Sequence, residues 1–353
     1  MIESLVLENF RCHPLLELSE LGRRNCLQGA NGQGKTSILE AIYLLSRCKS
    51  FRTPRIPECA GWGKRSFGLA ASVQGVDEVE RLKYEWSTSG RQLSINHESN
   101  LKLEQFWGKL PAIAITNADR EMVKGSGSNR RNWIDSLIAG QDHSYLLLVQ
   151  KAALLQRQKN AILKSEQVDR GLWTILSEQM KPLMEEMVEK REKMTELVGG
   201  EIELFYQRLT ESEEKIGFTY QSESARRLEK SLDQIWENEN RSRNCELGPH
   251  RDDWEMSLDK KSLRHFGSEG QQKSAALAMR LAEAEFLDDS GAVLIDDALM
   301  ELDLRRRKRF WSLLPEDRQL FFASTNVESD QAYAGFDLRL EILRGGFRKM
   351  TTV

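Results

Sequence analysis

Residues Gly29-Ala30-Asn31-Gly32-Gln33-Gly34-Lys35-Thr36 fit the pattern G-x-x-x-x-G-K-[ST]. In such a loop the glycines let backbone N–H groups turn inward around the β- and γ-phosphates of a nucleotide, and the helix starting near Lys35 adds its positive end. Lys35 reaches the phosphate oxygens and Thr36 offers a hydroxyl to Mg2+. A Gly-rich turn with a chance lysine reads the same over eight letters, so the flanks decide. Before the loop, Asn25-Cys26-Leu27-Gln28 suits a short strand; after it, residues 37–48 place Ile38, Ile42 and Leu45 at helical spacing. Strand, loop and helix in that order favour binding of a nucleoside triphosphate.

A phosphate cradle of this kind needs a carboxylate at the end of a neighbouring strand. Val293-Leu294-Ile295-Asp296-Asp297 supplies an apolar run fit for a covered parallel strand, then two acids. Asp296 is positioned to hold Mg2+ through water, and Asp297 to orient or deprotonate the attacking water. The alternative is that both aspartates cap the following turn. A third stretch, Ser268-Glu269-Gly270-Gln271-Gln272, opens an Ala/Leu-rich helix. Ser268-x-x-Gln271 is a capping box, and Ala275, Ala278, Met279, Ala282 and Phe286 form an apolar face with no ligand required. A free helix N-terminus bearing Ser268 and Gly270 also suits an anion, for the same reason that the loop at Gly29 does. Both readings stand.

These residues need a frame. Residues 2–8 alternate as a half-buried strand, 61–103 carry short alternations that predict a small antiparallel sheet, and 111–116 read as a buried strand. From Arg130 to about Leu209 the pattern is helical, with two long candidates divided near Asp169-Arg170-Gly171, and no heptad repeat persists long enough for an extended coiled-coil arm. Strand-like sequence resumes at 216–220 and 245–258, and residues 292–296 and 318–325 read as central strands. The ends are thus α/β and the middle helical. The expected organisation is an ATPase domain at 1–116, a helical insertion at 117–244, and the rest of the ATPase domain at 245–353.

Composition narrows the function. The chain has 353 residues and a net charge of −3, so no global field draws it to nucleic acid or anionic lipid. It has no apolar run of the ~20 residues a membrane span needs, and its first residues lack a signal-peptide pattern, which points to the cytoplasm. Five scattered cysteines without a CxxC favour neither a disulfide framework nor a zinc site. Arg305-Arg306-Arg307-Lys308-Arg309 is the densest cationic run, but five consecutive residues encircle a helix and cannot form one clean face. Carboxylates such as Glu301 and Asp303 are the favoured partners for it over DNA, while Lys64-Arg65 and Arg130-Arg131 stay undecided.

The order of loop, insertion, Ser-x-Gly-Gln before a helix, strand-Asp-Asp and then Leu302-Asp303 resembles the ATP-binding-cassette ATPases. More specifically, ENFR (8–11), residues 29–46, KSFRT (49–53), residues 122–135, GPHRDD (248–253), residues 267–283 and residues 294–307 resemble the RecF family of bacterial DNA replication and repair ATPases. The resemblance implies an α/β P-loop head of the ATP-binding-cassette type, with a mixed sheet, flanking helices and a small antiparallel sheet, interrupted by a compact helical domain. It implies MgATP held by Gly29 to Thr36 and Asp296, with Asp297 activating water, and Arg11 or Arg52 adding charge near the nucleotide. Ser268, Gly270 and Gln271 would reach the γ-phosphate held by a second copy, with Asp303 at the same interface. It further implies an ATP-dependent homodimer, a weak DNA-stimulated ATPase, duplex and gapped DNA as ligand, and RecR, RecO and RecA as partners. Two positions depart from the family's usual letters: Asn117-Ala118-Asp119-Arg120, and Glu269, whose charge would lie near an incoming phosphate. A transporter motor subunit and a metabolic P-loop kinase are the rivals; in the former, the signature usually follows the P-loop sooner than the 232 positions from Thr36 to Ser268.

Overall fold

The computed structural model describes residues 1–75, 78–287, 291–299, 301–325, 335–344 and 346–350. Contacts gather these into two units, Met1–Asp119 with Arg280–Val353, and Arg120–Met279. Two sheets build the first unit. One is antiparallel throughout, with strands in the order His13–Leu18, Ile2–Phe10, Ser66–Gln74, Val79–Ser87, Gly90–Ile95 and Glu98–Ser99. Ile2, Leu5, Leu7 and Phe10 turn inward from the second of these, in the near-alternation that residues 2–8 predict.

The other sheet is mixed. Arg24–Gln28, Gln319–Ser324, Ala292–Asp296 and Ala112–Thr116 lie side by side in parallel, Leu338–Leu343 pairs parallel with Arg24–Gln28, and Gly346–Met350 closes the edge antiparallel. Gln319–Ser324 is buried at every position, as a parallel strand covered on both faces must be. The helix Lys35–Arg47 joins the layers: Ile38, Leu39, Ile42 and Leu45 share one apolar cluster with Leu7 and Phe67 of the antiparallel sheet and with Leu27, Leu294 and Phe321 of the mixed one. A helix with partners all round is buried all round, so it holds its first turn firmly.

In the second unit the helices Ser144–Leu163 and Arg170–Thr210 are separated where the sequence predicts, with the Asp169 carboxylate capping the latter by accepting from the Leu172 N–H at 3.0 Å. The longer one runs 41 residues, or about 60 Å at 1.5 Å per residue. Trp173, Met180, Met184, Val198, Ile202 and Phe205 bury its inner stripe. The strands Ile216–Gln221, Asp253–Leu258 and Lys261–Ser262 make a separate three-stranded antiparallel sheet. That pairing has a consequence for the expected organisation. Residues 245–279, read from the sequence as the resumption of the ATPase domain, cluster instead with the second unit, because Asp253–Leu258 takes its ladder from Ile216–Gln221. The division falls at Met279/Arg280, inside the helix Glu269–Glu285.

Candidate nucleotide-binding site

In the first unit, the strand Arg24–Gln28 ends in the loop 29–34, and the helix begins at Lys35 with Gly34 as its N-cap at φ 104°. That backbone is left-handed, and a Cβ there would stand 2.3 Å from His13 Nε2 and 2.7 Å from Cys12 Sγ. Glycine is therefore required twice over. Lys35 is 5% exposed, and its Nζ donates to the carbonyls of Gly29 (2.7 Å) and Ala30 (3.0 Å), bracing the loop from within. Burial lowers its pKa, and Asp297 and Asp296 oppose that shift.

Across the sheet the Thr36 hydroxyl donates to Asp296 Oδ1 at 2.9 Å. Asp297 breaks the strand's alternation: at φ 49° it enters the left-handed region, its N–H donates to Ala323 O, and its side chain turns to the same cavity as Lys35 and Thr36. Burial raises the pKa of Asp296, with the neighbouring charge of Asp297 adding to it and the Thr36 hydroxyl opposing. Burial likewise raises Asp297, with Lys35 opposing. Asp297 Oδ1 is buried without a hydrogen-bond partner. An all-oxygen donor set of one hydroxyl and one carboxylate, beside an orphaned acceptor, fits Mg2+ completed by phosphate and water.

The cavity measures about 720 Å3, within the range of small-molecule sites. Asn31, Gly32, Gly34, Lys35 and Thr36 line it, as do Arg11 and Arg52, the two cations that the resemblance singles out. Both are aimed by a residue that the sequence does not flag. Glu40, fully buried on the loop's own helix, accepts from Arg11 Nε (2.8 Å) and Nη2 (2.5 Å), from the Ser50 hydroxyl, and from Arg52 Nη1 (3.3 Å). Cys12, His13, Trp62, Lys64 and Arg344 complete parts of the wall, and no sequence motif marks them for it. His13 is the next residue after Cys12, and hydrogen bonding to its ring holds the Cys12 thiol below the usual range.

The Ser268 stretch lies in the second unit and forms the capping box: Ser268 N–H donates to Gln271 Oε1 (2.9 Å) and Gln271 N–H to Ser268 Oγ (3.2 Å). Gln271 Nε2 also donates to Glu214 Oε1 at 2.7 Å. Gly270 occupies the helix's first turn. Both sequence departures meet here, since Arg120 Nη1 lies 3.1 Å from Glu269 Oε1. Of the undecided cations, Arg130 is 3% exposed and forks onto Asp253 at 2.8 and 3.0 Å, while Arg131 donates to Asp252 O, so this pair faces inward. Asp252 of GPHRDD is equally internal, accepting from Arg191, Tyr220 and the Ser224 N–H, while Arg251 beside it is exposed. In the helix Leu304–Leu313, Asp303 caps by accepting from the N–H groups of Arg305 and Arg306, and Arg307 turns inward to Leu299 O, so the cationic run does encircle the helix.

A family model described as the RecF/RecN/SMC N terminal domain matches residues 1–332. A protein named DNA replication and repair protein RecF from Ruminiclostridium cellulolyticum is 30% identical over 349 residues, covering 93% of each chain. The protein of the same name from Exiguobacterium sp. is 29% identical over 351 residues, again covering 93% of each. A solved structure described as the recombination mediator protein RecF-ATP in the RecFOR pathway aligns with TM-score 0.88 at 23% identity, over 99% of this chain and 97% of that one. That likeness establishes the fold: an α/β P-loop head of the ATP-binding-cassette type.

Proposed function

Because the chain belongs to the RecF family of DNA replication and repair proteins, within the broader RecF/RecN/SMC group, we propose that it is an ATP-gated DNA-binding switch of recombinational repair. Gly29 to Thr36 cradle the triphosphate, Thr36 and Asp296 hold Mg2+, and Asp297 takes or orients the attacking water. Held by Thr36 and Asp296, Mg2+ would supply neutralisation of the charge on the phosphates. Ser268, Gly270 and Gln271 contact the γ-phosphate bound by a second copy, with Asp303 at that interface, so nucleotide favours a closed homodimer and hydrolysis reopens it. Closure is governed by contacts that exist only in the dimer.

One observation carries this reading: Thr36 and Asp296, 260 positions apart in the chain, meet at 2.9 Å with Lys35 and Asp297 facing the same cavity. A phosphate loop and its carboxylate serve nothing in common unless a metal-bound phosphate lies between them. The family membership supports DNA, duplex and gapped, as the ligand of the closed state, and a cytoplasmic site of action. The RecFOR pathway given for the solved relative supports RecR and RecO as partners in bringing RecA to single-strand gaps. Among the described residues no helix is long and apolar enough to cross a membrane. Light scattering with and without MgATP, repeated with gapped DNA, tests the switch. The mass should double with MgATP and Ser268→Arg should stay monomeric while still binding ATP; a wild-type chain that remains monomeric at saturating MgATP refutes it.

A further inference from the structure

Trp62 is 101% exposed, whereas the other seven tryptophans are buried or half-buried. An aromatic ring this large on open surface forgoes the burial that ordinarily places tryptophan, and among the described residues no ring or cation stacks on it. Its location is fixed all the same. The turn that carries it is strapped to the end of the strand Ile2–Phe10: Gly61 N–H donates to Asn9 O at 2.7 Å, Arg11 N–H donates to Cys59 O at 2.8 Å, and Lys64 N–H closes the turn onto Gly61 O at 2.8 Å. Gly63, at φ 74°, provides the left-handed step that closing requires. Trp62 thus stands on a pinned turn, in the wall of the cavity that also contains Lys35, Thr36 and Asp297. Lys64 and Arg52 line the same cavity, so its wall combines a π surface with positive charge.

The phosphate loop accounts for only part of a cavity of about 720 Å3. A nucleotide brings one further group of matching chemistry, a flat aromatic base. We propose that Trp62 is the stacking platform for the base of the bound nucleoside triphosphate, and so the residue that makes this pocket prefer a purine nucleotide to bare phosphate. The inference rests on the phosphate-cradle reading of Gly29 to Thr36 and adds to it the means of recognising the rest of the ligand. Stacking needs only a π face, and Trp62 presents its ring in full.

The test compares MgATP with magnesium tripolyphosphate, which has the phosphates and no base, on the full chain by calorimetry and tryptophan fluorescence. In the wild type, ATP should bind roughly ten-fold or more tighter than tripolyphosphate, and should quench or blue-shift the emission of an exposed tryptophan while tripolyphosphate does not. Trp62→Ala should lose that preference by weakening ATP roughly ten-fold with tripolyphosphate affinity unchanged, and Trp62→Phe should keep most of it. ATP affinity in Trp62→Ala equal to wild type overturns the proposal. So does an equal loss of both ligands, which would mark a structural defect. Lys35→Ala separates the underlying reading: it should remove both ligands, and retention of tripolyphosphate there would refute the cradle irrespective of what Trp62 does.

Discussion

Replacing Glu40 by glutamine conserves volume and removes one buried charge on which two pocket arginines converge. The carboxylate is fully buried, while the side chains of Arg11 and Arg52 are 18% and 43% exposed, so the cost falls unequally on the two pairs. Arg11 loses a two-pronged charge-assisted contact at 2.8 and 2.5 Å, worth about 1.5–3 kcal/mol in a part-buried setting. Arg52, largely in water, contributes no more than about 0.5 kcal/mol. The glutamine NH2 would also face guanidinium donors, leaving one of its own hydrogens poorly placed. Summed, Glu40→Gln should destabilise the first unit by about 1.5–3.5 kcal/mol. For a unit of this size that lowers its melting transition by about 3–14 °C. Because Arg11 and Arg52 lose the group that aims them into the cavity, MgATP affinity should fall as well. Calorimetric melting combined with ATP titration measures both effects, and Arg11→Ala/Glu40→Gln completes a cycle whose coupling energy should exceed about 1 kcal/mol. A Glu40→Gln protein with unchanged melting and unchanged ATP affinity would refute the claim that this carboxylate orients the pocket's cations.

Three further outcomes are expected. Asp297→Asn should bind MgATP, hold the dimer in light scattering and turn over slowly; because burial raises the pKa of Asp297, relieving that charge should also raise the nucleotide-free melting temperature. His250 is held by burial at a pKa of about 4 against an ordinary 6.5, with its Nδ1 buried and unpaired, so the unfolded chain takes up the proton first as pH falls. Stability should therefore drop between pH 6.5 and 4 by up to about 3 kcal/mol, and a His250→Gln variant with an equally steep acid limb in urea titrations would show that another group governs it. Arg120→Ala should weaken MgATP-dependent dimerisation by a few-fold when Glu269 is present and have little effect in a Glu269→Gln background; equal effects in both backgrounds would mean the two charges act separately.

The parts of the site that sequence made legible are those written contiguously. The loop 29–36, the strand ending at Asp296-Asp297 and the capping box at Ser268 each declare a local backbone, and the structure forms each of those backbones. Glu40 is hidden because the apolar residues of its helix read as an ordinary amphipathic stripe, whereas its partner Arg11 comes from the turn after the strand Ile2–Phe10, 29 positions away. Trp62 lies between two glycines with no periodicity to mark it, and the signal available was only the cost of leaving indole exposed. GPHRDD shows the reverse case. Its letters carry part of the family resemblance, yet Asp252 is consumed by Arg191, Tyr220 and the Ser224 N–H, partners from three other segments. Distinctive spelling there reflects a buried ionic network, in which every member must be matched or the remaining charge is stranded.

Glu269 is the position at which sequence and structure differ most in implication. Read alone, a carboxylate in the first turn of a helix proposed to meet phosphate is favourable to the helix dipole and unfavourable to that ligand. The pairing with Arg120 at 3.1 Å changes the second half of that statement. The pair adds little to stability, since the Glu269 side chain is 83% exposed and such contacts are worth at most about 1 kcal/mol. Its effect is on the field instead. An arginine placed against the carboxylate returns the local net charge to zero, so the N–H groups beside Ser268 and Gly270 need not compete with an uncompensated anion. The two residues that deviate from the family's usual letters are thus one electrostatic feature: removing Arg120 alone leaves the carboxylate uncompensated, whereas removing it once Glu269 is glutamine should cost little.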